Sequence, residues 1–203
     1  MQNESITLAL TGASGLQYGL RLLECLLAAG KTISLLVSQA AHAVAVHELD
    51  ITMPKQTSKL RDFLIDHFQA AANQLQVFDQ HEWTAPIASG SNAPDAMVIC
   101  PCSSGTLAAI ANGLSNNLIE RAADVMLKEG RKLVLVPRET PLNLTQVDNM
   151  SKLLRMNTVI MPAAPGFYHR PTSINELIDF MVARILDHLA IPNQLIKRWG
   201  ADL

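Results

Sequence analysis

Ile6-Thr7-Leu8-Ala9-Leu10-Thr11-Gly12-Ala13-Ser14-Gly15-Leu16-Gln17-Tyr18-Gly19 reads as a strand, a glycine-bearing turn and the start of a helix. Ile6, Leu8 and Leu10 alternate with Thr7, Ala9 and Thr11, and the small or apolar residues at both sets of positions predict a strand buried on both faces. In Thr11-Gly12-Ala13-Ser14-Gly15 the glycines permit a tight turn and close approach of a ligand to the backbone. Leu16, Tyr18, Leu20, Leu22, Leu23, Leu26 and Leu27 then carry helical spacing as far as Gly30, a helix stop. A strand entering a helix through such a turn aims backbone N–H groups and the positive end of the helix dipole at an anion, a phosphate above all. The same geometry also serves as an ordinary connection; one hydroxyl beside two glycines favours binding.

Outward from this unit the pattern repeats. Thr32 to Val37 reads as a second strand, and Ser38 as the N-cap of a short helix. A dinucleotide site would want Asp or Glu near that strand end, and the first turn is not a clean G-x-G-x-x-G, so a mononucleotide phosphate suits the chain better than NAD. Leu49 to Trp83 is the least regular part. A loop at Pro54-Lys55-Gln56-Thr57-Ser58 precedes helical spacing from Leu60 to Leu75, a short strand at Gln76-Val77-Phe78, and a loop at Ala85 to Ser91. Ala96 to Cys100 is another buried strand, followed by Pro101-Cys102-Ser103-Ser104-Gly105-Thr106 and a helix from Leu107 to about Asn112. Asn116 to Lys128 reads as helix, Lys132 to Val136 as strand, Leu144 to Met156 as helix and Thr158 to Met161 as strand. Ser173 opens a final helix to Leu189, with Glu176 completing a capping-box pattern. Alternating strands and helices predict a three-layer α/β domain on a mainly parallel sheet, with ligands beyond the carboxyl ends of the strands.

Composition narrows the function classes. The 203 residues suit one domain, 1–203, with a substantial core. A hydrophobic content of 49% and a mean hydropathy of +0.18 lead us to expect subunit contacts. A net charge of −2 gives no footprint for nucleic acid, and no apolar run is long enough to span a membrane. Met1-Gln2-Asn3-Glu4 lacks the basic start of a signal peptide, which makes a cytoplasmic protein the expectation. Cys25, Cys100 and Cys102 form no disulfide framework. Cys100-Pro101-Cys102 is C-x-C rather than a zinc or redox C-x-x-C, so buried thiols and no metal are expected. His42 and His47 fall on different sides of a helix and are expected to do nothing specific; no G-x-S-x-G elbow supports a serine hydrolase.

The strand-end turns gather Gly12, Ser14, Ser38, Ser103, Ser104 and Thr106, with Arg138 and Glu139 supplying charge. Hydroxyls and helix N-termini around one arginine fit a phosphate and a polar ring edge, although each Ser or Thr could also be a simple N-cap. Trp83 and the Phe167-Tyr168 pair are open to either core packing or a site, and Arg184 to either a solvated face or a site.

Five stretches, in order, resemble the UbiX-type flavin prenyltransferases: Thr11 to Gly15; Cys100 to Thr106; Asn117-Leu118-Ile119-Glu120-Arg121-Ala122-Ala123-Asp124-Val125; Val136-Pro137-Arg138-Glu139-Thr140-Pro141; and Met161-Pro162-Ala163-Ala164-Pro165-Gly166-Phe167-Tyr168. The resemblance covers nearly the whole chain. It implies a flavodoxin-like Rossmann domain in a homododecamer, with a tail of about 190–203 in subunit contacts. It further implies transfer of a dimethylallyl group from dimethylallyl monophosphate to N5 and C6 of reduced FMN, without a metal. The prenylated FMN would serve a UbiD-type decarboxylase, in many bacteria for ubiquinone synthesis. By the family pattern FMN would lie on Gly12, Ala13, Ser14, Ser38, Ser103, Ser104, Gly105, Thr106 and Arg138. The prenyl phosphate would lie against Ser89, Gly90, Arg121, Lys128, Arg138, Glu139, Tyr168 and Arg184, partly from neighbouring subunits, with Trp83 as an aromatic wall. Ser14 and Glu139 would handle protons. No family motif covers Leu49 to His81. The rival readings are a flavin-dependent cysteine decarboxylase, whose Pro-x-Met-Asn motif is replaced here by Pro137-Arg138-Glu139-Thr140, and a non-catalytic flavin carrier.

Overall fold

The computed structural model describes residues 5–198 and 200. Six parallel strands form one sheet: β1 (Ser5–Leu10), β2 (Thr32–Val37), β3 (Leu75–Phe78), β4 (Ala96–Cys102), β5 (Lys132–Pro137) and β6 (Val159–Ile160). Their spatial order is β3-β2-β1-β4-β5-β6, the doubly wound Rossmann order, which reverses between β1 and β4. The helices are α1 (Leu16–Ala28), α2 (Gln39–Leu49), α3 (Thr57–Phe68), α4 (Ser104–Ala111), α5 (Leu118–Lys128), α6 (Leu144–Leu154) and α7 (Ile174–His188).

The strands alternate between two cores. Ile6, Leu8, Leu10, Val98, Cys100, Val134 and Val136 pack with α1 and α7. Ala9, Met97, Ile99, Cys102, Leu133 and Leu135 pack with α4 and α5. This two-sided burial is why the strands read as continuous apolar runs. At Gly19 a Cβ would overlap the Cys100 carbonyl, so α1 rests directly on the backbone of β4.

Several boundaries differ from expectation. The apolar spacing from Leu60 runs on to Leu75, but α3 ends at Phe68, where Gln69 turns left-handed (φ 51°); Leu75 instead pairs with Ile33 as the first residue of β3. β4 continues through cis Pro101 to Cys102, and α4 starts at Ser104 because Ser103 caps it. α5 starts at Leu118, since Asn117 accepts the Glu120 N–H at 3.0 Å. The expected box at α7 is only half made: Ser173 accepts from Glu176 N, but the Glu176 carboxylate turns to Thr172. The complete box caps α6, between Asn143 and Gln146. Of the tail 190–203, residues 199 and 201–203 lie outside the described residues, as do Met1 to Glu4.

Candidate functional site

The order reversal between β1 and β4 opens a crevice at the carboxyl edge of the sheet, and Thr11 ties its two sides together. Its N–H and Oγ1 both donate to the Pro101 carbonyl (3.2 and 2.8 Å), while Oγ1 accepts the Ser103 N–H at 2.8 Å. Ser38 caps α2 and Ser103 caps α4, so two helix N-termini open side by side. A cleft of about 940 Å³ lies over them, lined by the expected Gly12, Ser38, Ser103 and Thr106. Gly12 has no room for a side chain, because a Cβ there would overlap that of Ala40. Ala13, Ser14, Ser104, Gly105 and Arg138 are not among the residues lining this cleft.

The N-terminus of α1, which sequence reading assigned to a bound anion, already holds one from the protein. The Glu48 carboxylate, at the end of α2, accepts the Gly15 N–H at 2.9 Å, with the Ser14 hydroxyl and Leu16 N–H also directed at it. Partial burial opposes its ionisation, but these donors and the nearby Arg138 cation outweigh it and hold the Glu48 carboxyl below its ordinary value. The anion-binding ends left for a ligand are therefore those of α2 and α4. Sequence reading missed Glu48 because only the fold brings it back to the first turn.

Residues 49–81, for which no motif was legible, contribute Thr52, Met53, Lys55, Asp79 and Gln80 to the cleft. His42, expected to do nothing specific, lines it as well. Its imidazole bonds to the Met53 backbone, and burial, followed in sign by Lys55, lowers its pKa. His42 Nδ1 is buried without a partner among the described residues.

Beyond β5, Arg138 is half-buried and its Nε is also buried and unpartnered among the described residues. Its charge acts on both Glu48 and Glu139. Glu139 accepts from Ser104 Oγ at 2.8 Å, and Gln146 Nε2 reaches the same Ser104 oxygen at 3.0 Å. The Ser104 hydroxyl, then the Thr140 N–H, hold the exposed Glu139 carboxyl below its ordinary value. Gln146 is a second residue that sequence reading missed; the Asn143-x-x-Gln146 capping pattern was its available signal.

The residues expected for the donor phosphate do not gather in one chain. The segment from Trp83 to Asp95 runs back along α5, with Ala88 O accepting from Arg121 Nε at 3.0 Å. Lys128 sits at the end of α5 against Gly90 and pairs with Glu129, four residues before β5 begins. Arg184 lies near the end of α7, in the opposite helix layer, paired with Asp187 at 2.8 Å and beside Tyr168. The Lys132 ammonium donates to the carbonyl of His188, which puts that end of α7 at the start of β5. Lys128 and Gly90 thus lie toward the amino edge of the sheet and Arg184 on its other face, beside Met161 and Pro162, whereas the cleft opens at the carboxyl edge. Tyr168 packs edge-on against Phe180 at 5.6 Å between ring centres, and Trp83 is 49% exposed.

Cys100 and Cys102 are buried; burial raises both thiols, Cys102 to about 12, which leaves them unreactive. Among the described residues no His, Cys, Asp and Glu cluster could hold a metal ion, and no helix is long and apolar enough to cross a membrane.

The family model described as Flavoprotein matches residues 1–186. A flavin prenyltransferase UbiX from Pseudomonas aeruginosa is 56% identical over 197 residues, covering 97% of this chain and 94% of that protein. A crystal structure of AnUbiX (PadA1) in complex with FMN and dimethylallyl pyrophosphate is 38% identical with a TM-score of 0.87, covering 98% of this chain and 99% of that one. A dodecameric FMN-dependent Ubix-like decarboxylase from Escherichia coli is 34% identical with a TM-score of 0.84, covering 97% and 100%.

Proposed function

The chain belongs to the flavoproteins and, within them, to the UbiX flavin prenyltransferases, and from that premise we propose that it transfers a dimethylallyl group from dimethylallyl monophosphate to N5 and C6 of reduced FMN. The near full-length identity to a flavin prenyltransferase carries this reading. The site fits the cofactor. The N-termini of α2 and α4, with Ser38, Ser103 and Thr106, suit its phosphate, and the buried, unpartnered Nε of Arg138 suits a polar edge of its ring. Gly12 borders the same cleft, and Ala13, Ser14, Ser104 and Gly105, on the turns beside it, are the further contacts the family pattern implies. Reduced FMN supplies the electron-rich acceptor.

The protein's own groups then have distinct tasks. Breaking an allylic C–O bond leaves a phosphate, which Arg121, Lys128 and Arg184, with Ser89 and Gly90, would stabilise once neighbouring chains bring them together. Trp83 and Tyr168 offer aromatic faces to positive charge developing on the allyl carbon. Ser14 passes a proton through its hydroxyl, held in orientation by Glu48. Glu139, kept ionised by Ser104, is equipped to accept a proton rather than to give one to the leaving group. The separation of Arg184 and Glu139 across the two faces of the sheet supports a site shared between subunits, and we extend the reading to a homododecamer whose product serves a UbiD-type decarboxylase in ubiquinone synthesis.

The test is anaerobic. Full-length protein is incubated with reduced FMN and either dimethylallyl monophosphate or its diphosphate, and the flavin is weighed by mass spectrometry. A gain of one dimethylallyl unit with the monophosphate is expected; an unchanged flavin in both arms overturns the reading.

A further inference from the structure

We propose that Lys55 is the counter-ion that makes the cleft prefer a phosphorylated flavin over its unphosphorylated form. The inference rests on the FMN reading above and concerns a residue outside every recognised motif. Three observations carry it. The dianion end of the cleft is set by two adjoining helix N-termini and the hydroxyls of Ser38, Ser103 and Thr106, none of which bears a full charge. Of the residues lining the cleft, Lys55 is the one Lys or Arg, and it is exposed with no ion pair among the described residues. The other titratable groups there are Asp79 and His42. Asp79 already accepts the His81 N–H at 2.8 Å. Burial of the His42 ring, reinforced by Lys55, favours its neutral form, so the cation's task falls to Lys55.

The loop that carries Lys55 is fixed at this position from both sides. Met53 is buried, and its backbone is bonded by the His42 imidazole of α2; Gln56 O then accepts the Leu60 N–H as α3 begins. The ammonium is thereby presented at the cleft on a flexible stem, free to meet a phosphate without a preformed partner to displace.

The test uses flavin-stripped full-length protein and reads dissociation constants by quenching of flavin fluorescence, for FMN and riboflavin separately, at low and high salt. In Lys55→Gln, FMN affinity should fall about tenfold, as for loss of one charge-assisted phosphate contact, while riboflavin affinity stays unchanged. The salt dependence of FMN binding should weaken in the same variant, and Lys55→Arg should restore both. Equal losses for the two flavins, or an unchanged FMN-to-riboflavin ratio, overturn the proposal. Failure of the wild-type chain to bind FMN overturns the cofactor reading itself, and the assignment of Lys55 with it.

Discussion

Glu48 and Glu139 are both held ionised by donated hydrogen bonds, and Arg138 acts on both. For Glu48 the consequence is a pH dependence of stability. Its folded pKa lies below the ordinary 4.5, so its contribution is complete above that pH and is lost as pH falls through the lowered folded value. Glu48→Gln should therefore be less stable than wild type at neutral pH, and the difference between their urea midpoints should shrink below pH 4.5. A difference that is constant with pH would show that the charge of Glu48 is not what stabilises the first turn. For Glu139 the consequence is kinetic. Glu139→Gln keeps the Ser104 contact but cannot take a proton, so turnover should fall roughly a hundredfold with little change in the KM for the donor. Thr11 is a different kind of residue, since its hydroxyl donates across the crevice and accepts in return. Thr11→Val leaves the Ser103 N–H without that acceptor, and unfolding measurements should find it about 1–3 kcal/mol less stable.

At the scale of elements, α1 and α6 are fixed by different means. α1 lies so close to β4 that Gly19→Ala must shift either the helix or the strand; denaturant midpoints should show a loss of about 1–3 kcal/mol, as for an overpacked core. A midpoint matching wild type would mean that α1 can move away from β4 freely. The central strands and α1 were legible in the sequence because burial on both faces and a full helical period leave unambiguous apolar patterns. The end of α3 was not, because Ala71 and Leu75 fall on a helical spacing, while Ala71 lies in the turn after the helix and Leu75 pairs in the sheet. The same limit hid half of the cleft. Ser38 and Ser103 announce themselves by standing directly after strands, with Thr106 in the first turn of α4, whereas His42 and Lys55 in the cleft, and Glu48 at the first turn, acquire neighbours only when α2 and its following loop fold across that turn.

At the scale of the whole molecule, the separation of the charged residues becomes an argument about assembly. Arg184 on α7 and Glu139 beside α4 lie on opposite faces of one sheet, yet the proposed reaction needs a phosphate-binding cation and a proton acceptor around one substrate. Large apolar side chains stay uncovered on the single chain, with Leu144 at 74%, Ile174 at 73% and Phe167 at 68% exposure, as expected of surfaces that meet other copies. If each site takes Glu139 from one chain and Arg184 from another, two damaged chains can complement each other. Glu139→Gln and Arg184→Ala should each be nearly inactive alone. Dissociated, mixed in equal amounts and reassembled, they should recover activity in about a quarter of the sites, those built from the intact halves of both. Light scattering before and after mixing confirms that assemblies have re-formed. Re-formed assemblies that stay as inactive as their parents would place both residues in a site made by one chain and would remove the reason for assembly that the fold provides.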